Sequence, residues 1–130
     1  MVGARPWLVL ATLNGMIAVA AGAFGWHSLE VTDSDMRDVF LTGVDYQMWH
    51  ALALIGVAWL ANRKPHSKSL RVAGSAFVVG IILFSGSLYL TAITGEVLLP
   101  GAAPIGGFCL FGGWVAFAWE GGHAWSSLRC

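Results

Sequence analysis

Charged residues are scarce in this sequence. Of 130 residues, only 11% are charged, seven basic and seven acidic, whereas 57% are hydrophobic and the mean hydropathy is +0.71. Soluble domains usually carry about 25% charged residues, so this chain lacks the polar surface that a water-soluble fold needs. Its net charge is zero and it has no extended basic patch, which argues against nucleic-acid binding. We therefore expect an integral membrane protein.

Cysteine is scarce as well. The two cysteines are Cys109, inside an apolar run, and Cys130, the last residue. They form no CxxC motif and have no zinc-ligand spacing, which excludes a disulfide framework and a usual structural zinc site. We interpret Cys109 as a small hydrophobic residue of a membrane helix.

Long apolar segments dominate the chain instead. Four of them, about residues 7–26, 46–62, 71–94 and 105–122, are long enough to cross about 30 Å of hydrocarbon as helices. Lipid offers no partners for backbone N–H and C=O groups, so such segments cross it as helices. The sequence predicts one membrane domain, residues 1–130, with an all-α fold: a bundle of four transmembrane helices.

Charge is distributed unevenly between the two sides of this predicted bundle. With four spans, the N-terminus, the 63–70 loop and the C-terminus share one side. Six of the seven basic residues lie there: Arg5, Arg63, Lys64, Lys68, Arg71 and Arg129. Most carboxylates lie on the other side: Glu30, Asp33, Asp35, Asp38, Asp45 and Glu96. The positive-inside rule then predicts that both termini face the cytoplasm or its equivalent.

The segment EVTDSDMRDVFLTGVD, residues 30–45, is interpreted as a short amphipathic outer helix between the first two spans. Thr32 or Asp33 is its expected N-terminal cap, and Gly43 is its expected end.

Small residues recur along one narrow face of the first predicted helix. They are Ala11, Gly15, Ala18, Gly22 and Gly25, at steps of four and three that match 3.6 residues per turn. The last span places Gly106 and Gly113 in a similar way. Small residues let helices approach closely in lipid, so we expect all seven to pack helices within the bundle or between copies.

Polar residues within the apolar segments lie toward the predicted outer half of the bundle. Three helices contribute to the predicted cluster, which comprises His27, Tyr46, Gln47, His50, Ser87 and Thr91. Gln47 and His50 are three positions apart and share a helix face. We expect them to point inward and to bond Ser87, Thr91 or His27. At the inner surface, Arg63 or Lys64 is expected to neutralise Glu120.

Four motifs resemble those of a known family. They are AGAFGWHSL (21–29), FLTGVDYQMWHALAL (40–54), LFSGSLYLTAITG (83–95) and APIGGFCLFGGW (103–114). In this order they are similar to a family of small four-helix membrane proteins of unknown function, which includes bacterial YgdD- and YwdK-like proteins and eukaryotic transmembrane protein 256. The resemblance implies a bacterial inner (cytoplasmic) membrane or a mitochondrial inner membrane, and it implies no activity.

The polar cluster has two interpretations from sequence alone. In the first, its side chains hydrogen-bond between helices and only hold the bundle together. In the second, His27 and His50 form an intramembrane ligand site for a metal or a quinone, or relay protons. We expect no bound cofactor, and we keep the metal and quinone sites as alternatives.

Other functional classes have weaker support. A small oligomeric transporter or channel remains an alternative, although no acidic residue lies at mid-membrane to line a pore. The FSGSLY segment is superficially similar to a serine nucleophile motif, but it lies within a predicted membrane helix and has no carboxylate for a triad. We therefore expect no enzyme. The preferred hypothesis is a structural or accessory subunit that packs against itself or a larger membrane complex.

Overall fold

A computed structural model of the protein describes residues 3–29 and 34–127. Within these ranges the chain forms four α-helices and no strand: α1 (Ala4–His27), α2 (Ser34–Arg63), α3 (Lys68–Thr94) and α4 (Ala102–Ser127). The predicted all-α bundle is confirmed, and each helix begins earlier than the apolar pattern indicated. Helix α3 shows how local sequence sets the ends: the hydroxyl of Ser67 accepts from the Leu70 N–H, and Gly95 ends the helix with a φ of 74°.

Helix α2 differs from the prediction. The expected outer helix is not separate, because Ser34–Arg63 is one continuous helix. Gly43 is buried inside it, and the Gly43 carbonyl oxygen accepts a hydrogen bond of 2.7 Å from the Ser85 hydroxyl. A Cβ on Gly43 would lie 2.9 Å from the Tyr89 ring, so this glycine allows close packing against α3 and does not end a helix. The expected caps, Thr32 and Asp33, lie outside the described residues.

Helices α2 and α3 form the centre of the bundle, and α1 and α4 pack against them. The core is built mainly from α2 and α3 side chains, with Leu54, Val57, Leu70 and Phe77 among the most deeply buried. At one end, the Trp7 ring of α1 lies against Gly74 of α3. At the same end, Lys64 after α2 pairs with Glu120 near the end of α4. Sequential helices therefore run antiparallel, and α2 extends along the whole bundle.

We call the end that holds Lys64 and Glu120 the basic end, and the opposite end the acidic end. The described cations of the basic end are Arg5, Arg63, Lys64, Lys68 and Arg71, and the described carboxylates of the acidic end are Asp35, Asp38, Asp45 and Glu96. Glu30, Asp33 and Arg129, which complete the charge pattern of the sequence, lie outside the described residues.

The outside of the bundle is apolar. Among the described residues, three helices, α1, α3 and α4, are long and apolar enough to cross a membrane. Helix α2 does not meet that criterion of composition, since it carries Gln47 and His50 and an acidic first segment. Its 30 residues are about 45 Å long, more than the thickness of the hydrocarbon layer, so this first segment extends past it.

Glycines bring α4 into close contact with α3. A Cβ on Gly106 would lie 2.5 Å from the Phe84 backbone nitrogen, and a Cβ on Gly113 would lie 2.7 Å from the Phe77 ring. On α1, Ala11, Ala18 and Gly25 are buried, whereas Gly15 and Gly22 are only half-buried. A Cβ on Gly25 would meet the Phe40 ring at 2.8 Å, but one on Gly15 would meet nothing within 4 Å.

We predict that Gly106→Ala destabilises the protein and that the adjacent Gly107→Ala does not. The new methyl group at residue 106 meets backbone that has no room to move, and such overpacking costs about 1–3 kcal/mol. At residue 107 the nearest atom would lie 3.9 Å away, an ordinary contact. Thermal unfolding in detergent, followed by circular dichroism, measures both. Equal unfolding temperatures for the two variants would contradict the close α3–α4 packing.

Candidate functional site

The candidate site is a set of polar side chains that α2 carries into the bundle. Gln47 and His50 are each only 4% exposed, and Tyr46 is half-buried. The spacing of three residues places Gln47 and His50 on the same helix face, as the sequence predicted. Buried polar groups in a membrane protein require hydrogen-bond partners inside the protein, so the partners of these side chains define what the site does.

Gln47 connects three helices through both ends of its amide. Its Nε2 donates to Oδ1 of Asn14 on α1 at 3.0 Å, and its Oε1 accepts from the Tyr89 hydroxyl on α3 at 2.7 Å. The Asn14 Nδ2 in turn donates to the Leu10 carbonyl at 2.8 Å. The Leu10 carbonyl can only accept, so the Asn14 Nδ2 must face it and the Asn14 Oδ1 must face Gln47. Gln47 then donates to Asn14 through Nε2, which leaves its Oε1 to accept from the Tyr89 hydroxyl.

His50 connects α2 to α4. Its Nδ1 lies 2.6 Å from the Tyr46 carbonyl oxygen, and its Nε2 lies 3.0 Å from the Trp114 Nε1. The carbonyl is only an acceptor and the indole N–H is only a donor. His50 is therefore the neutral tautomer with its proton on Nδ1. Both ring nitrogens are occupied, and neither is free for a metal or a proton relay while these bonds hold.

Aromatic rings surround this pair of polar groups. The Phe77 ring centroid lies 5.5 Å from that of His50 and 5.2 Å from that of Trp114. The Phe84 ring covers Tyr46 at a centroid distance of 4.4 Å. Rings at these distances exclude water from the hydrogen bonds, and edge-to-face pairs add about 0.5–1.5 kcal/mol each.

Ser87 and Thr91 of α3 make hydrogen bonds other than those expected. The Ser87 hydroxyl donates to the Phe84 carbonyl of its own helix at 2.9 Å. The Thr91 carbonyl accepts the Gly95 N–H where α3 ends. Ser85, which the sequence did not place in the cluster, is 1% exposed and binds the Gly43 carbonyl of α2. The expected bonds from Gln47 and His50 to Ser87, Thr91 or His27 are therefore replaced by bonds to other residues.

His27 lies far from His50. It is exposed near the acidic end of the bundle, at the last position of α1. Its neighbour Gly25 packs against Phe40, which precedes His50 by ten residues, or about 15 Å along α2. The histidine pair of the second interpretation is therefore not formed. In the described part of the chain, no group of three or more His, Cys, Asp or Glu residues is placed to hold a metal ion.

A second polar group lies at the basic end. The Glu120 carboxylate accepts from Lys64 Nζ at 3.0 Å through one oxygen and from the Ser67 hydroxyl at 2.7 Å through the other. The expected neutralisation of Glu120 by Arg63 or Lys64 is confirmed for Lys64. Because Ser67 also caps α3, this carboxylate fixes the α2–α3 loop to α4.

Comparison with known proteins identifies a family for this chain. The profile of a family described as "Protein of unknown function (DUF423)" matches residues 21–107. The chain belongs to the DUF423 family. It is 40% identical to the UPF0382 membrane protein YwdK of Bacillus subtilis over 113 residues, covering 85% of this chain and 91% of YwdK. It is 36% identical to the UPF0382 inner membrane protein YgdD of Escherichia coli, covering 85% of each chain.

A UPF0382 membrane protein of Haemophilus influenzae is 37% identical over 116 residues, which cover 88% of this chain and 92% of that protein. No solved structure gives a significant match. The resemblance to a four-helix membrane family of unknown function is thus confirmed. The DUF423 match includes Gln47, His50, Ser85 and Tyr89 but neither Asn14 nor Trp114. Gln47 and His50 therefore each have one partner beyond the matched region.

We predict that Gln47→Leu and Tyr89→Phe have non-additive effects on stability. Each single variant leaves an unpaired polar group inside the bundle. The second substitution lowers the free energy of unfolding by less once the first has already broken the Gln47–Tyr89 bond. The coupling energy is expected to be about 0.5–2 kcal/mol. Reversible unfolding in mixed micelles of the wild type, both single variants and the double variant measures it.

Thr94→Val provides the control, because the Thr94 hydroxyl donates to the carbonyls of Leu90 and Glu96, both within four residues. Combined with Gln47→Leu, it is expected to be additive within about 0.5 kcal/mol. Additive effects of Gln47→Leu and Tyr89→Phe would show that the Gln47–Tyr89 bond contributes nothing.

Proposed function

We propose that this protein is a structural or accessory subunit of a bacterial inner membrane, which packs against a second copy or against a larger membrane complex. The observation that carries the proposal is that the polar groups of the candidate site are bonded within the protein. The amide of Gln47, both ring nitrogens of His50 and the hydroxyl of Ser85 all bond other protein groups. Their chemistry is used to hold helices together.

The outward faces of α1 and α4 support the same proposal. On α4, Phe108 and Phe111 are 77% and 70% exposed, and a side chain on the neighbouring Gly112 would meet nothing within 4 Å. On α1, Met16 is 69% exposed beside Gly15, which is open in the same way. A glycine lets a second helix approach closely in lipid, and a large apolar side chain beside it can pack against that helix.

The proposed orientation places the basic end, and with it both termini, on the cytoplasmic side. Support comes from the described cations Arg5, Arg63, Lys64, Lys68 and Arg71, which share that end. The E. coli relative named an inner membrane protein agrees with the proposed compartment. We also propose that the protein has no enzymatic activity of its own.

Gentle extraction from native membranes tests the proposed function. We expect the protein to migrate well above the size of a single 13.8 kDa chain in detergent, together with further copies or with defined partner subunits. Native electrophoresis with mass spectrometry of the separated band measures size and composition. A single chain that carries a stoichiometric metal, haem or quinone would contradict the proposal.

His50→Gln distinguishes a helix-connecting role from a ligand-binding role. A glutamine retains a carbonyl oxygen that can accept from the Trp114 indole, so we expect the variant to fold and to keep the native assembly size. Circular dichroism and native electrophoresis check the two properties separately. A variant that folds like the wild type but loses the assembly would indicate that His50 contributes more than a connection between helices.

A further inference from the structure

Two surface cavities adjoin at the basic end of the bundle, the first wide open and the second more enclosed. The first, of about 470 Å³, is formed by the α2–α3 loop, from Arg63 to Ser69, together with Glu120. The second, of about 430 Å³, is a groove between α2 and α4 whose apolar lining includes Trp59, Leu60 and Trp125. Arg63 and Lys64 line both cavities. A polar, cationic space and an apolar groove thus meet at the same two residues.

The charge of this region is strongly positive. Arg63, Lys64, Lys68 and Arg71 lie within nine positions, and Glu120 is the only described carboxylate at this end. Both oxygens of Glu120 are already bonded, to Lys64 and to Ser67. An anion near Arg63 and Lys68 would therefore meet several cations and no free carboxylate.

The start of α3 adds to the attraction for an anion. Its first turn contains Lys68 and Arg71 and no acidic residue. Cations at a helix N-terminus are unfavourable, because the helix dipole is positive there, and an anion relieves this repulsion. The Arg63 guanidinium lies over the Trp59 ring, 4.4 Å from its centroid. This contact holds a cation at the edge of the apolar groove, which both residues line.

We propose that this region binds one anionic phospholipid. Its phosphate lies against Arg63, Lys64 and Lys68, and one acyl chain follows the groove between α2 and α4. The groove decides the source of the phosphate: a free phosphate ion would use only the first cavity, whereas a lipid fills both. Basic pockets between transmembrane helices on the cytoplasmic side favour acidic headgroups, and tryptophans at the membrane interface suit the polar–apolar boundary of a lipid.

Native mass spectrometry of the full chain in detergent tests the headgroup. Dioleoyl phosphatidylglycerol is expected to bind more tightly than dioleoyl phosphatidylcholine. Arg63→Gln and Lys68→Gln are each expected to weaken phosphatidylglycerol binding by about fivefold. Arg37→Gln is the matched control, since Arg37 also lies over a tryptophan, Trp26 at 5.3 Å, but near the acidic end.

A pair of adjacent glycines tests the groove. Gly121 lines it and Gly122 does not, and a Cβ on either would meet nothing within 4 Å. Gly121→Leu is therefore expected to fold and to lose phosphatidylglycerol binding by tenfold or more, whereas Gly122→Leu binds like the wild type. Circular dichroism confirms that both variants remain helical.

Three results would overturn the proposal. Equal binding of the two lipids would show that the negative headgroup is not recognised. An equal loss in Arg37→Gln and Arg63→Gln would show that only total charge matters. Displacement of phosphatidylglycerol by equimolar glycerol 1-phosphate would assign the site to a soluble phosphate. A single chain that binds the lipid would still support this site while contradicting the assembly proposed above.

Discussion

Hydrocarbon offers no hydrogen-bond partner, and this constraint organises the bundle around two side chains of α2. Gln47 satisfies its amide with Asn14 and Tyr89, and His50 satisfies its imidazole with the Tyr46 carbonyl and Trp114. Each of these bonds, except that to Tyr46, reaches another helix. A rotation of α2 of even one residue would break all three interhelical bonds, so these bonds fix the rotation of α2 relative to all three neighbours.

Close packing and hydrogen bonding depend on each other at the central helix α3. Gly43 lets Tyr89 approach α2, which brings the Tyr89 hydroxyl to Gln47 and the Ser85 hydroxyl to the Gly43 carbonyl. Where α3 meets α4, the glycines of α4 allow the close contact that brings Trp114 to His50. Apolar surface gains little by leaving lipid, so dispersion between closely packed backbones replaces the hydrophobic effect as the source of cohesion.

The pattern of apolar residues was sufficient for the four apolar helical segments and their order, and for the burial of Gln47 and His50. It was not sufficient for their partners, because the contact between two helices depends on their mutual rotation and not on the period of either. Asn14 carried a usable signal, as a lone amide within a long apolar run. Tyr89 and Trp114 carried little, since aromatic residues with polar atoms are equally suited to the membrane interface.

Gly43 and His27 show why two other predictions were wrong. A glycine after an amphipathic segment fits the end of a helix as well as a close contact inside one, and only the position of Tyr89 decides between them. His27 was grouped with His50 because His27 follows the predicted outer end of the first span and His50 lies near the predicted outer start of the second. Because α2 is continuous back to Ser34, the residue of α2 that packs near the end of α1 is Phe40, against Gly25, and not His50.

The polar face of α2 has a consequence for how the chain enters the membrane. As an isolated segment, α2 is less apolar than its three neighbours, and its amide and imidazole groups oppose transfer into lipid. Asn14 is synthesised before Gln47, whereas Tyr89 and Trp114 emerge only later. When α2 leaves the ribosome, α1 is therefore the helix available to pair with it. We expect the α1–α2 hairpin to insert as a unit, and α3 and α4 to complete the remaining bonds afterwards.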